Sequence, residues 1–343
     1  MSTWRMVPAT LGLLLTLGSI GARAGAQVIT LQNATRLERI ASLDVPGSLI
    51  GFVAFSLDNR SLISGDRTGE VLAWETGTWT RRTLQPAFMN QEVADSARVP
   101  YYPTLALSAD GRTAAAATSA AGDVSVREMS GRVLSAFAYG SPVYAMAISP
   151  DGRLVAVGGL RGNVAIHELA TGRQVADLRC DHEYVSVLVF SPDGRTLVAG
   201  YERPGNVLKA WNASTWQESS TFYRIEPRVD YHDAVFTSDG RNLVVARIPA
   251  DIEMVDMGTM QVVRQFRGHT RAAYQLAFSP DGSLLASSAD DGTLRLWETA
   301  TGSAVRVIDT GDHELFSVAF SPDGTLLAFS VGGEGIQVWG VAR

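Results

Sequence analysis

The chain has 343 residues, 46% hydrophobic and 19% charged, a balance that excludes an intrinsically disordered protein. A net charge of −6 argues against a general nucleic-acid binder, so no nucleic-acid partner is assigned. Cys180 is the only cysteine, which rules out an internal disulfide and leaves stability to packing.

The first 26 residues form a unit of their own. Arg5 marks a charged start, residues 11–20 are a short apolar run, and Ala22-Arg23-Ala24 and Ala24-Gly25-Ala26 offer small-x-small cleavage sites. This pattern predicts a secretory signal peptide over 1–26 and an exported protein, periplasmic or extracellular. The run is too short, and too interrupted by Gly12 and Gly18, to read first as a membrane span or uncleaved anchor. No membrane span is expected after cleavage, and cleavage after Ala26 would take the charge from −6 to −8 by removing Arg5 and Arg23. No cysteine follows the apolar run, which disfavours a lipid anchor.

Residues 27–34 are a short polar lead. Residues 35–43 (TRLERIASL) then alternate like a strand but have no companion strands before them. From there a unit recurs at roughly 40-residue spacing, the range of repeat architectures. Each copy ends its first strand on an apolar residue: Phe55, Leu107, Ile148, Phe190, Phe236, Phe278 and Phe320. A Ser-x-Asp-Gly-like turn follows each, from Ser56-Leu57-Asp58-Asn59 to Ser321-Pro322-Asp323-Gly324. The clearest copy is 268–298, with strands predicted at 273–278, 283–287 and 293–297.

Copies one to six each add a fourth strand after a Thr-Gly-like turn, such as Thr301-Gly302-Ser303. Such a sheet is too small to bury both faces alone and must stack on neighbours. Seven of them, without capping units, predict an all-β, seven-bladed β-propeller over 35–343. The seventh copy stops at its third strand, 335–340, while 35–43 is a fourth strand without a blade. The ring is therefore expected to close by the N-terminal strand completing the last blade, which removes exposed sheet edges.

These residues resemble the WD-repeat family over about 35–343. The Gly-His and Trp-Asp hallmarks appear as Gly268-His269 and Trp297-Glu298, and the third-strand Trp recurs as Trp74, Trp211 and Trp339. His167, Val126 or Arg127, and Val255 stand in the other copies. The resemblance implies a structural network in which His269 bonds through Ser287 to Trp297 and is oriented by Asp291. Lys209 is the only lysine among many arginines, alanines and glycines, a composition suggesting a bacterial gene and hence an exported bacterial member of the family.

Two spacings exceed the repeat: 85–103 after the first copy and 201–206 in the fourth. The strand order of a propeller puts both on one face, near the central channel. Catalytic signals are absent: there is no G-x-S-x-G or H-E-x-x-H, and the Asp-Gly pairs recur as turns, so no catalytic residue or cofactor is assigned. Cys180 and His182, with His313 in a similar link, form the one metal candidate. Asp181, Glu183, Asp312 and Glu314 around them equally describe solvated loops, and no metal site is assigned.

The expected function is a non-catalytic platform for a protein or cell-envelope partner, bound through the face carrying 85–103. Exposed aromatics and arginines commonly dominate interface energy. The candidates are Phe88, Tyr101 and Tyr102 in the insertion, Arg161, Tyr201 and Arg203 in turns, and Tyr139, Tyr223 and Arg224 in interblade links. The alternative is a small-molecule or metal-binding propeller with enzymatic activity at the channel mouth, to be recognised by three or more convergent His or carboxylate groups.

Overall fold

The computed structural model describes residues 26–45, 49–66, 68–85, 104–117, 122–179, 184–202, 207–223 and 231–341. They form seven four-stranded antiparallel sheets, each following chain order except the last. Blade 1 spans 50–85, blade 2 104–138, blade 3 143–178, blade 4 184–223, blade 5 231–266 and blade 6 273–309. Blade 7 takes three strands from 318–341 and its fourth from Leu37–Leu43. The only helical element among the described residues is the 3-10 turn Ala34–Arg36, so the closing strand starts two residues later than its alternation suggests.

Closure is antiparallel, Leu37 opposite Val341 and Leu43 opposite Ile336. The polar lead is also fixed: the Ile29 amide donates to the Gly324 carbonyl at 2.8 Å, and Ile29 is buried among residues of blades 6 and 7. Seven apolar clusters among the described residues fill the gaps between neighbouring blades. First strands of neighbouring blades touch from blade 2 round through blade 7 to blade 1, which makes them the inner wall. This is how units that cannot bury both faces alone become one core.

The turn after each inner strand is built the same way. In blade 6 the Ser279 hydroxyl donates to Asp281 at 2.6 Å, Asp281 accepts the Ser283 amide at 3.0 Å, and the Leu284 amide donates back to Ser279 at 3.0 Å. Asn59 stands where the other six turns have glycine and adopts φ 57°, a left-handed conformation that Asn tolerates. Its side-chain oxygen accepts the Asp323 amide at 3.0 Å, so the departure from glycine joins blade 1 to blade 7.

These turns open on one face. The second-to-third strand turns and the interblade links open on the other, where the described ends of the two long segments, Gln85 with Thr104 and Glu202 with Val207, are found.

Candidate functional site

In blade 6 the Ser287 hydroxyl is the hub of a buried chain. It accepts the Trp297 indole N–H at 2.8 Å and lies 2.7 Å from His269 Nε2, while His269 Nδ1 lies 3.0 Å from Asp291. With the Ser287 oxygen accepting from Trp297, its own hydrogen points to Nε2, so the proton of neutral His269 sits on Nδ1 and donates to Asp291. Burial holds His269 below its ordinary pKa, against the pull of Asp291. Burial of Asp291 works to raise its pKa, yet the bonds from His269, Thr293 and Thr270 hold it well below the carboxylate range. Blade 1 keeps one leg of this chain, Trp74 to Ser64 at 2.9 Å. In blade 3, His167 replaces the Trp and stacks on Phe137 at 3.8 Å.

Of the residues singled out for partner binding, Phe88, Tyr101, Tyr102, Arg203 and Arg224 lie outside the described residues, as do Cys180 and His182. Tyr201 is not a turn residue. The second strand of blade 4 runs on through it to Glu202, and its inward alternation places the ring in the core between blades 3 and 4, 0% exposed and edge-on to Trp211. Tyr223 belongs to a strand rather than a link, with its backbone opposite Val207.

Tyr139 is also buried: its hydroxyl donates to the Asn163 carbonyl or side-chain oxygen, each at 2.8 Å, and burial raises its pKa. Arg161 is exposed and reaches the Tyr139 carbonyl at 3.5 Å. These two residues meet at a polar cleft between the outer parts of blades 2 and 3, shared with Asn163, Asp177 and Arg179. The cleft satisfies itself, since Asp177 accepts from Asn163 at 2.5 Å and from Arg179 at 3.1 Å.

The feature the sequence did not single out is a cavity of about 280 Å³ at the channel end where blades 5, 6, 7 and 1 present their Ser-x-Asp turns. Phe55, Phe236, Phe278 and Phe320 wall it, with Phe278 and Phe320 half-buried. Asp239 and Asp281 stand on its rim, and no basic side chain lines it. Hydrogen bonds from Thr237 and the Arg241 amide hold Asp239 below the ordinary carboxylate range. Burial of Asp281 acts to raise its pKa, but bonds from Ser279 and Ser283 outweigh it, so both rim carboxylates are ionised at neutral pH.

The wall around this mouth is stitched from blade to blade. Three residues before the terminal Phe of each inner strand, Asp233 of blade 5 accepts the Leu276 amide of blade 6 at 2.7 Å, and Gln275 of blade 6 accepts the Val318 amide of blade 7 at 2.9 Å. Ser317 of blade 7 donates to Gln275 and accepts the Val53 amide of blade 1 at 2.8 Å. Blades 3 and 4 carry Ala145 and Val187 at this position, and their junction is apolar. Burial pushes the Asp233 carboxyl up to about 8 despite the Leu276 and Ala234 amides that donate to it.

On the opposite face, burial and the neighbouring Asp290 raise Glu314 to about 7, and Arg271 lies 3.8 Å from Asp290. Among the described residues no three His, Cys, Asp or Glu side chains are grouped to hold a metal ion.

Residues 131–168 and 260–298 match the family model described as WD domain, G-beta repeat. The chain is similar to Protein groucho of Drosophila melanogaster, 29% identical over 176 residues, 48% of this chain and 23% of that protein. It is similar to WD repeat-containing protein SL1-17 of Schistosoma mansoni, 30% identical over 156 residues, 45% of this chain and 50% of that protein. A third match is Serine-threonine kinase receptor-associated protein of Gallus gallus, 30% identical over 113 residues, 33% of this chain and 31% of that protein. The chain thus spans about a quarter to a half of these relatives. With the seven sheets, the matches support a seven-bladed propeller carrying WD40 repeats.

Proposed function

We propose that this protein is an exported, non-catalytic platform that binds a protein partner. The observation that carries the reading is the channel mouth, where Phe278 and Phe320 stand partly open to solvent. Surrounded by polar turns, such a patch suits an apolar anchor from another chain. Its lining holds two carboxylates, short of the three or more convergent groups that would favour a metal or small-molecule enzyme. The likeness to Serine-threonine kinase receptor-associated protein, named for association with a receptor, supports the same class of role.

The face carrying 85–103 is the second partner surface in this proposal, through Phe88, Tyr101, Tyr102, Arg203 and the exposed Arg161. The test is crosslinking of the protein in its native envelope, comparing wild type with a Phe88→Ala, Tyr101→Ala, Arg203→Ala triple variant of equal melting temperature. A specific protein adduct that the triple variant forms less well supports the assignment; unchanged capture removes this face from the site, and absence of any protein adduct overturns the platform reading. Export is tested separately. Protein recovered outside the cytoplasm should begin near Gly25 or Gln27, and an intact Met1 there would contradict a cleaved leader.

A further inference from the structure

We infer that the channel mouth receives an extended partner segment in which one large apolar side chain is flanked by lysine or arginine. The inference rests on the platform reading and specifies the chemistry of its partner. Three observations lead to it.

Size comes first. At about 280 Å³ the cavity is slightly smaller than the ~300–1,000 Å³ of common small-molecule sites, a volume suited to one or two side chains.

Charge comes second. In blades 1 to 5 the residue two after the turn Asp is arginine: Arg60, Arg112, Arg153, Arg195 and Arg241. Four of these approach their own Asp at 3.9 to 4.0 Å. In blades 6 and 7 the position holds Ser283 and Thr325, so Asp281 and Asp323 lack that cation. The arginines thus form an arc over five turns, and the mouth opens where the arc ends.

Access comes third. The polar lead covers the blade 7 turn, with Val28 against Gly324 and Ile29 bonded to it, and Asp323 is half-buried. Ser238, Asp239 and Asp281 remain exposed at the rim. An apolar side chain entering between the Phe rings therefore brings its neighbours in sequence to Asp281, which has no arginine of its own, beside Asp239, whose Arg241 stands 3.9 Å away. A basic neighbour is attracted to Asp281, while an acidic one is repelled by it.

The experiment titrates three fluorescent peptides of sequence Ala-X-Phe-X-Ala into the full chain and into a chain beginning at Gln27. X is Lys in the first, Glu in the second and Ser in the third. The Lys peptide is expected to bind best and the Glu peptide not measurably, with the preference shrinking as salt screens the rim. Asp281→Asn keeps the side-chain oxygen that accepts the Ser283 amide. It should weaken the Lys peptide about 2- to 5-fold, the range of exposed ion pairs, without changing the Ser peptide, whereas Asp239→Asn, whose carboxylate already has Arg241, should weaken it less.

Equal binding of the Lys and Glu peptides would overturn the inference, as would no binding of any peptide to either chain. Binding to the shorter chain alone would overturn it in favour of residues 1–26 as occupant. A concentration-dependent dimer that the Lys peptide fails to dissociate would overturn it in favour of a second copy. The platform reading fails by another route, the absence of a protein adduct in the envelope, so the two failures are distinguishable.

Discussion

The junctions from blade 5 to blade 1 and the junction of blades 3 and 4 meet the same backbone demand differently. From blade 5 through blades 6 and 7 into blade 1, side chains of the inner strands accept amides of the next blade: Asp233 from Leu276, Gln275 from Val318, Ser317 from Val53. At the same register, blades 3 and 4 present Ala145 and Val187 and join through Leu188, Phe190, Tyr201 and their neighbours. Apolar packing tolerates small shifts, whereas a hydrogen bond fixes distance and direction. The arc with fixed spacing is the one that walls the apolar mouth, which makes that mouth a preorganised seat and the other arc its support.

The most severe way to break the comparison is to remove what closes both arcs. Deleting residues 26–43 exposes the edge of Gly335–Val341 and uncovers the core between blades 6 and 7. The expected result is a melting temperature lower by on the order of 10 °C, or aggregation, since several kcal/mol are lost. An unchanged melting curve would mean that the last blade does not depend on the first strand.

Next come single stitches. Gln275→Leu leaves the buried Val318 amide and the Ser317 hydroxyl without their shared acceptor and should cost about 2–4 kcal/mol in denaturant unfolding. Val187→Thr makes the complementary error, placing a hydroxyl in the apolar arc, and should cost about 1–2 kcal/mol. If Gln275→Leu costs no more than Val187→Thr, the stitches do not distinguish the junctions.

Ser287→Ala takes the hub from the blade 6 chain and strands both Trp297 and His269, for about 2–3 kcal/mol. Ser64→Ala cuts only the Trp74 leg in blade 1, for about 1 kcal/mol. Equal losses would show that the His269 and Asp291 end of the chain adds nothing.

The effects of pH have opposite signs. His269 is held below its ordinary value of ~6.5, so the unfolded chain binds more protons in acid, and stability falls as pH drops through about 6.5. Asp233 is raised to about 8 from an unfolded value near ~3.9, so the folded chain binds more protons and stability falls as pH rises between them. Measured from pH 5 to pH 8.5, Asp233→Asn should remove a fall in stability with rising pH that spans the range up to about 8, and His269→Gln should remove an opposing rise that is confined to pH below about 6.5. Retention of either slope would assign it to other groups.

Much of this architecture was legible because propeller blades repeat. Phe55 through Phe320, each followed by a Ser-x-Asp turn, mark the inner strands, and the incomplete seventh copy with the solitary strand 35–43 implies closure. Tyr201 misled because strand length is not written in turn residues. The surplus residues 201–206 read as an extended turn, whereas the ladder continues to Glu202. Tyr139 misled because a residue in a link can still turn its side chain inward, here to bond Asn163 of the next blade.

The mouth was illegible for a different reason: Phe236, Phe278, Phe320 and Phe55 each read as the buried end of a strand, and the space between them exists only once four blades are assembled. One signal was available. Asp233 and Gln275 are polar residues in largely apolar inner strands, three positions before their Phe, and a buried polar group at a repeated register implies a partner in the neighbouring repeat.

The most direct measurement is native-state hydrogen exchange at individual amides of the inner strands. The amides of Leu276, Val318 and Val53 should exchange only through global opening, more slowly than the equivalent amides of Met146 and Leu188 in the apolar arc, and Gln275→Leu should release Val318 selectively. Equal or faster exchange at Leu276, Val318 and Val53 would contradict a preorganised arc around the mouth.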